Sequence, residues 1–463
     1  MIVSLYYMKK RLLSILLIWA LVACSSEQAT LPDPETTTST TTTSTTTTST
    51  TTTIPEVNVD EYGVEILDIS EEMQQQLDDL AAFVVEKVGI DFTEEPKFRF
   101  YTLGGYQDYN EFSYLDEFEE DYEPGEWERA VLSEQLWGLT TSSPAAMKQL
   151  LVEFMRCSSA GSYNLIDELI RVPIKRNQKK LNLWEQSVLV HELTHTLQGQ
   201  IVDLKSWYEE MEELDDFSNY AGRRAIMEAQ AEIVQAYWES NLDVYDRQQM
   251  NSQAPNISCA VELPSYFYIP NDLYYSFGPQ LAKEIRTAGG MEAINEALYE
   301  LPTAEQVYSS EKYFAKEIYE DVPIGELVLE GWSKIDDGTI DALDIVYLTQ
   351  PFLGRQLGVA AGIGIGGGSW IDYIDQNDNL LMTVKISGDN YDDLFEIFET
   401  FANAIFLQDR FTEAEEKYSG FFGITQNNTE AWIGVDAEFV RIVISSTPNV
   451  IGDLYDSGQL VNY

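Results

Sequence analysis

The sequence predicts an α+β protein: a small sheet with helices in the central part, then a helical segment, then a C-terminal α+β module. Two periodic patterns support this prediction. Long stretches place apolar residues at helical spacing, while shorter ones alternate apolar and polar residues as strands do. Apolar residues make up 44% of the 463 residues, which is enough for a sizeable core. A body of about 400 residues favours two or three subdomains over one.

The N-terminus has the three parts of an export signal. A basic stretch, Met8-Lys9-Lys10-Arg11, precedes an apolar run from Leu12 to Ala23 that is too short to span a bilayer. The run ends in Leu21-Val22-Ala23-Cys24, which resembles the bacterial lipobox, whose cysteine receives the lipid. We therefore expect a signal peptide at residues 1–23, lipidation of Cys24 and a position on the cell surface, anchored to the membrane. Ordinary secretion with cleavage nearby is the alternative.

Residues 24–56 are predicted to form a disordered stalk. Threonine and serine dominate this segment, with a nearly unbroken Thr tract from Thr37 to Thr53, and it lacks the apolar side chains that a core needs. The rest of the chain is divided at residue 335. Residues 57–335 carry the motifs described below, and residues 336–463 form the C-terminal α+β module.

The charge of the chain limits its possible partners, and its cysteine content bears on the compartment in which it works. The 78 acidic and 28 basic residues give a formal net charge of −50, and this excludes nucleic acid as a partner because nucleic-acid binding needs a basic face. Such a surface is soluble and self-repelling, which suits a salty exterior. With Cys24 assigned to the lipid, Cys157 and Cys259 form either a disulfide or two buried free thiols.

Helices and short strands are predicted in order along the body. Alternation predicts strands at Lys97–Tyr101 and Leu169–Ile174, and Pro173 places the second at a sheet edge or a strand end. Asn182 can cap a helix that runs to about Gln200. The other helices are expected at Glu71–Val88, Pro144–Cys157, Ala221–Glu239 and Leu281–Tyr299, the last broken at Gly289-Gly290, while Asp108–Glu128 has no clean periodicity. Helices and strands then alternate over Ile345–Tyr347, Leu380–Ile386 and Tyr391–Ile405, with two strands around a turn in Ala431–Ser445.

The only two histidines of the chain lie four residues apart, in His191-Glu192-Leu193-Thr194-His195. Side chains at i and i+4 project from the same face of a helix, so both imidazoles can reach one metal ion. The intervening Glu192 can then reach a metal-bound water. This spacing is that of the HExxH zinc motif.

A catalytic zinc ion takes three protein ligands, so the third must be a carboxylate here. Glu228 is the preferred candidate, because an acid embedded among small residues such as Ala225 and Ala229 needs a buried partner and can approach the motif helix closely. Glu232, one turn further on, fits a role in accepting a hydrogen bond from the far nitrogen of a ligating histidine. The alternatives for the third ligand are Glu232 and the acidic connector residues Glu210, Glu212 and Glu213.

Together these residues resemble the gluzincin, or thermolysin-like, zinc metallopeptidases. The stretches His191–Gln198, Glu228–Ala231, Gly289-Gly290 and Glu305–Tyr313 are similar, more closely, to a family of largely uncharacterised prokaryotic surface proteins and lipoproteins with a predicted metallopeptidase core. The likeness covers roughly residues 161–314. It implies a zincin-like core made of a small sheet with an edge strand, the HExxH helix and the third-ligand helix. The chain departs from that family in having Ala229 where glycine is usual, and Ser309-Ser310 where a histidine often stands.

The expected function is that of a membrane-anchored, extracytoplasmic zinc metallopeptidase acting on a peptide or protein substrate. Glu192 takes a proton from the zinc-bound water and passes it to the leaving amine. Tyr275 is the preferred donor to the oxyanion, and the strand Leu169–Ile174 offers an edge on which an extended substrate can pair. The other candidate donors are Tyr274, Arg223 and Arg224. A catalytically inactive zincin-fold surface lipoprotein that binds a partner is the alternative, and the oligomeric state is left open.

Three further motifs are given no site. Gly362–Gly367 matches GxGxxG but lacks the acidic residue that follows in dinucleotide-binding folds, so a loop or a close backbone approach is favoured. Asp336-Asp337-Gly338 and Asp375–Asn379 lack the spacing of a calcium-binding EF-hand loop. The second of them is predicted to be the turn of a hairpin.

Overall fold

The computed structural model describes residues 58–122, 124–157, 160–204, 206–207, 217–255, 261–406, 411, 415–425 and 427–460. The expected signal peptide, the lipidated Cys24 and the stalk up to residue 56 lie outside the described residues, so these remain predictions. Among the described helices, none combines the length and the apolar content that crossing a bilayer requires.

The α+β class is confirmed. The first half contains α1 (Glu71–Val88), β1 (Lys97–Tyr101), α2 (Leu103–Asp121), α3 (Glu126–Trp137), α4 (Pro144–Cys157), β2 (Ser162–Asn164), β3 (Leu169–Pro173), α5 (Leu183–Val202), α6 (Phe217–Ser240) and α7 (Val244–Gln253). A 3₁₀ turn (Ser265–Tyr268), the short α8 (Ile269–Asp272) and a π-helical turn (Leu273–Phe277) lead into α9 (Gly278–Ala297), α10 (Ala304–Tyr308) and α11 (Ser310–Ala315).

The second half contains both helices and strands, and the two strands expected around a turn in Ala431–Ser445 are present. It contains β4 (Trp332–Thr339), α12 (Ala342–Leu353), α13 (Arg355–Ile363), β5 (Ile365–Asp375), β6 (Leu380–Gly388), α14 (Tyr391–Phe406), β7 (Glu415–Lys417), β8 (Gly420–Ile424), β9 (Glu430–Val435), β10 (Val440–Ser445) and α15 (Val450–Asp456). The described strands of this half form one antiparallel sheet in the order β4-β5-β6-β10-β9-β8-β7.

The prediction that Leu169–Ile174 is an edge strand is wrong. The order of the small sheet is β1-β3-β2, so β3, expected to lie at the edge, is the central strand, parallel to β1 and antiparallel to β2. Pro173 is tolerated because it is the last residue of β3, and the pairing of β2 with β3 has already ended at Arg171. The edge on the side of the motif helix is therefore formed by β2, and a substrate cannot pair with Leu169–Ile174.

Several other predictions can be compared with the structure. Helix α9 is kinked at Gly289 and Gly290, as expected, whereas Asp108–Glu128 lies within two helices, α2 and α3. Asp375–Asn379 is the turn between β5 and β6, as predicted. The glycine-rich stretch makes the favoured close backbone approach, since a Cβ on Gly367 would lie 2.2 Å from the carbonyl oxygen of Glu320.

One continuous cluster of buried apolar side chains joins the two halves. It runs from Leu67, just before α1, through the motif helix α5 to Ile444 in β10. Helix α3 makes part of this connection, because Trp137 packs against Phe401 of α14 with ring centroids 5.9 Å apart. The expected domain boundary at residue 335 falls within β4 and separates two sheets that share this core.

Helix α6 is packed against its neighbours at backbone distance. A Cβ on Gly222 would lie 1.8 Å from the carbonyl oxygen of Pro302, and a Cβ on Gly278 would lie 2.5 Å from that of Ala225. Ala225, Ala229 and Ala231 are all fully buried on the same helix. Small residues therefore let α6 approach both the segment before α10 and the start of α9, which fixes the position of Glu228.

We expect Gly222→Ala to lower the free energy of unfolding by about 3 kcal/mol, because the new methyl group overlaps a backbone atom that cannot rotate away. Urea denaturation followed by circular dichroism measures the change. Gly104→Ala is the matched control, since Gly104 lies in the exposed first turn of α2 with no atom within 4 Å of its added Cβ. A Gly222 variant as stable as the Gly104 variant would contradict the packing described for α6.

Candidate metal centre

The motif helix α5 is fixed at its start and buried through its middle. The side chain of Asn182 accepts a hydrogen bond from the Glu185 N–H at 2.9 Å, and the Glu185 carboxylate accepts one from the Asn182 N–H at 2.8 Å. This capping box satisfies two N–H groups that a helix start leaves without partners. Every side chain from Ser187 to Gln198 is buried, so the helix carries the motif inside the molecule rather than on a surface.

Three electron-rich atoms converge between α5 and α6. His191 Nε2 lies 3.0 Å from His195 Nε2 and 3.2 Å from Glu228 Oε2, and His195 Nε2 lies 3.4 Å from the same oxygen. A tetrahedral zinc ion with bonds of about 2.0–2.1 Å requires ligand atoms about 3.3–3.4 Å apart, so the three atoms match one face of such a site. His191, His195 and Glu228 are thus a buried group that can hold a metal ion.

Each imidazole directs its outer nitrogen to a glutamine. His191 Nδ1 lies 3.2 Å from Gln235 Oε1, and His195 Nδ1 lies 2.8 Å from Gln198 Oε1. An Nδ1–H that donates to an amide oxygen leaves Nε2 as the free lone pair, which is the form that binds metal. The predicted role of Glu232 is therefore wrong, because two amides, and not that carboxylate, accept from the imidazoles. Burial still raises the pKa of Glu232 to about 7.

Glu228 is held by a cation and a hydroxyl group. The Arg224 guanidinium lies 2.9 Å from Oε1, one helical turn away, and the Tyr275 hydroxyl donates to Oε2 at 3.0 Å. Burial alone would raise the pKa of Glu228, but His195, Arg224 and His191 together keep it well below its usual range. The carboxylate is therefore ionised, with Oε1 engaged by Arg224 and Oε2 facing the imidazoles. Tyr275 lies in the π-helical turn Leu273–Phe277, a type of irregularity frequent at functional sites.

Glu192 is fully buried. Its carboxylate makes no hydrogen bond with a side chain of the described residues, and the backbone N–H of Tyr163 lies near it. Burial raises its pKa to about 7, the negative charge of Glu228 adds to the shift, and His191 and the nearby Tyr163 backbone N–H oppose it. A carboxyl group that titrates near neutrality can both accept and return a proton.

The other candidate donors lie around this group in different settings. Arg223 turns away from Glu228 and stacks over the Trp207 ring at 4.3 Å. Arg224 is bonded to Glu228 and lies 5.7 Å from the centre of the Tyr274 ring. The Tyr274 hydroxyl is buried without a hydrogen-bond partner in the described part of the chain. Of the four candidates, only Tyr275 and Arg224 contact the third ligand.

Of the two remaining cysteines and the acidic connector residues, only Cys157 is among the described residues. Cys157, at the end of α4, takes part in a disulfide. Its expected partner Cys259 lies outside the described residues, so the pairing of the two remains a prediction. The connector residues Glu210, Glu212 and Glu213, the alternative source of a ligand, also lie outside them.

A second group of acids also converges in the described part of the chain, but it already has a cation. Glu305, Glu317 and Asp389 approach one another closely enough to share an ion. The Lys312 ammonium bonds all three, at 2.8 Å from Glu305. We therefore interpret this cluster as a set of ion pairs that joins α10, α11 and the turn after β6, and not as a metal site.

The two glutamines are the residues that sequence reasoning missed. Both lie at helical spacing from a ligand, since Gln198 follows His195 by three residues and Gln235 follows Glu228 by seven, or two turns. Side chains at these spacings share a helix face, so the signal was present. It was obscured because carboxylates are abundant in this chain and are the more common partners of ligating histidines.

Comparison of the chain with protein-family models, curated proteins and solved structures finds no match.

We expect Glu228→Gln to lower the affinity for Co²⁺, a spectroscopic probe of tetrahedral sites, by at least about 100-fold, because the variant removes the only anionic ligand. Titration of the metal-free protein, followed by the visible d–d absorption, measures the affinity. Glu232→Gln is the matched control on the same helix face, and we expect it to change the affinity by less than about fivefold. Equal losses in both variants would contradict the ligand set.

Proposed function

We propose that this chain is an exported zinc metallopeptidase with a zincin-like core, anchored to the membrane through a lipid on Cys24. The observation that carries the proposal is the convergence of His191, His195 and Glu228 beside the fully buried carboxylate of Glu192. The resemblance of the motif stretches to gluzincins supports it, and the N-terminal sequence supports the location.

The donor set favours zinc over other metals. Two imidazole nitrogens and one carboxylate oxygen are a common ligand set of catalytic zinc, which keeps a fourth position for water. Magnesium and calcium prefer oxygen ligands, which this site supplies only once. Bound zinc supplies Lewis acidity toward water and toward a peptide carbonyl.

The proton transfers of the reaction fall to Glu192. As a general base it takes a proton from the attacking water, and as a general acid it returns that proton to the leaving amine. Its buried position, with no side-chain hydrogen bond among the described residues, keeps it available for both steps. Its pKa of about 7 suits both directions near neutral pH.

Tyr275 supplies a hydroxyl next to the reacting centre. Its donor group lies 3.0 Å from the ligand oxygen of Glu228, so a small movement brings it to a developing oxyanion. Arg224 is already engaged with Oε1 of Glu228, which makes it the weaker candidate. The hydroxyl of Tyr275 therefore takes the role of oxyanion donor.

The position of β2 favours an extended polypeptide as substrate. In the described residues β2 pairs only with β3 and so forms an edge of the small sheet, and the Tyr163 N–H lies near Glu192. An extended chain that adds to this edge brings its peptide bonds past the catalytic carboxylate.

A second candidate function is that of an inactive zincin-fold lipoprotein that binds a partner. One observation favours it: His191, Glu192, His195 and Glu228 are each at most 5% exposed, so in this conformation the centre is covered. A metal held there would stabilise the fold without meeting a substrate.

Glu192→Gln is expected to abolish peptide cleavage while zinc stays bound, because the amide cannot accept the proton and the three ligands are unchanged. Cleavage of an unfolded protein by the zinc-loaded chain, with and without a chelator, is measured alongside zinc content. Glu153→Gln, in helix α4, is the control and retains activity. A wild-type chain that binds zinc and cleaves no unfolded protein supports the second candidate, and an active Glu192 variant refutes the mechanism.

We expect Tyr275→Phe to lower kcat by about 100-fold with little change in KM, since an oxyanion donor acts in the transition state. Zinc is kept saturating, so that a weakened Glu228 ligand cannot account for the loss. Tyr274→Phe is the matched control and is expected to change kcat by less than about threefold. If saturating zinc restores full activity to the Tyr275 variant, the hydroxyl only supports the ligand.

A further inference from the structure

The amide that faces His195 can point only one way. Gln198 is fully buried, and its Nε2 donates to the Met227 carbonyl oxygen at 2.9 Å and to Gln230 Oε1 at 2.9 Å. A backbone carbonyl is an acceptor only, so the nitrogen of the amide must lie on that side. The amide oxygen is then left facing His195 Nδ1, and it can only accept.

The chain of amides continues and ends at a second carbonyl. Gln230 Nε2 donates to Asn295 Oδ1 at 2.6 Å, and Asn295 Nδ2 donates to the Val88 carbonyl oxygen at 3.0 Å. Each amide therefore has its direction set by the next, from α1 and α9 through α6 to the motif helix. Reversing one amide would place two donors or two acceptors against each other in a buried site, which costs the hydrogen bonds on both sides.

The amide that faces His191 is directed by a separate set of residues. Gln235 Nε2 donates to Ser187 Oγ at 2.8 Å, and the Ser187 hydroxyl donates to Glu239 Oε1 at 2.6 Å. Because the carboxylate only accepts, the hydroxyl hydrogen is committed to it, and the hydroxyl oxygen receives the amide N–H. Gln235 Oε1 is thus left for His191 Nδ1.

We propose that Gln198 and Gln235 are positioning residues that keep the proton on Nδ1 of His195 and His191 and so hold both Nε2 lone pairs toward the metal. The inference rests on the proposed zinc site. It gives the two histidines neutral amide acceptors in place of carboxylates, so Glu228 is the only anion that contacts the imidazole nitrogens among the described residues. The tautomers are thereby set before any metal binds, by hydrogen bonds that reach as far as helix α1.

The experiment uses the fact that the full chain has only two histidines. With ¹⁵N-labelled histidine, a long-range ¹H–¹⁵N correlation spectrum contains only these two imidazoles and shows which nitrogen carries the proton. In the metal-free wild type we expect Nδ1 to be protonated in both rings. Gln198→Met, which keeps the length of the side chain but lacks the amide, is expected to move the proton of His195 to Nε2 and to leave His191 unchanged.

Zinc affinity gives the second readout. Gln198→Met is expected to weaken zinc binding about 10- to 100-fold, as is typical when the partner of a ligating histidine is lost. Gln198→Glu restores an acceptor and is expected to restore both the Nδ1 proton and tight binding. Gln200→Met, in the same helix but bonded to the Thr93 N–H outside the site, is the control and changes neither.

Gln235→Met tests the same idea at His191 and serves if the Gln198 variant fails to fold. The inference is overturned if wild-type His195 carries its proton only on Nε2, or if Gln198→Met leaves both the Nδ1 proton and the zinc affinity as in the wild type. Failure of the proposed function looks different. A wild type with both Nδ1 atoms protonated that binds zinc but cleaves no peptide removes the peptidase and leaves the positioning role standing.

Discussion

The candidate site depends on how closely α5 and α6 pack. Helix α6, which carries Glu228, has small buried residues (Gly222, Ala225, Ala229 and Ala231), and two of them, Gly222 and Ala225, lie at close backbone contacts with neighbouring segments. The result is three electron-rich atoms within 3.4 Å of one another in a buried position. Such an arrangement is unfavourable unless a cation or a proton lies among them, so the packing favours the binding of a cation at this position.

The imidazoles and the carboxylate of this group have different kinds of hydrogen-bond partner. The imidazoles contact amides through their outer nitrogens, while the carboxylate contacts a guanidinium and a hydroxyl. The amides fix the orientation of the imidazoles without adding charge. His195, Arg224 and His191 together keep the pKa of Glu228 low, where burial alone would raise it. Glu192 is the exception, because it is fully buried and no side chain among the described residues bonds its carboxylate. A strongly shifted carboxyl group in such a setting is a candidate for a functional role.

The wrong prediction of the edge strand shows that a sequence pattern can identify a strand without giving its neighbours in the sheet. Alternation identified β3 correctly, and Pro173 indicated a sheet edge or a strand end, of which the strand end is what the structure shows. The choice between them depends on which strands pair with β3. Its parallel partner β1 lies about 70 residues earlier and its antiparallel partner β2 is only three residues long, and neither pairing leaves a trace in the sequence of β3 itself.

The sequence by itself determined the motif helix, its Asn182 cap, the α+β class and the pair of imidazoles on one face, because these follow from spacing within a single segment. It also favoured Glu228 through the small residues around it. Only the tertiary structure decided that Gln198 and Gln235, and not Glu232, face the outer nitrogens of the imidazoles. It also decided that Arg224 bonds one carboxylate oxygen of Glu228 and Tyr275 the other, and that β2 forms an edge of the small sheet. These are contacts between segments far apart in the chain, and they depend on the packing of all of them at once.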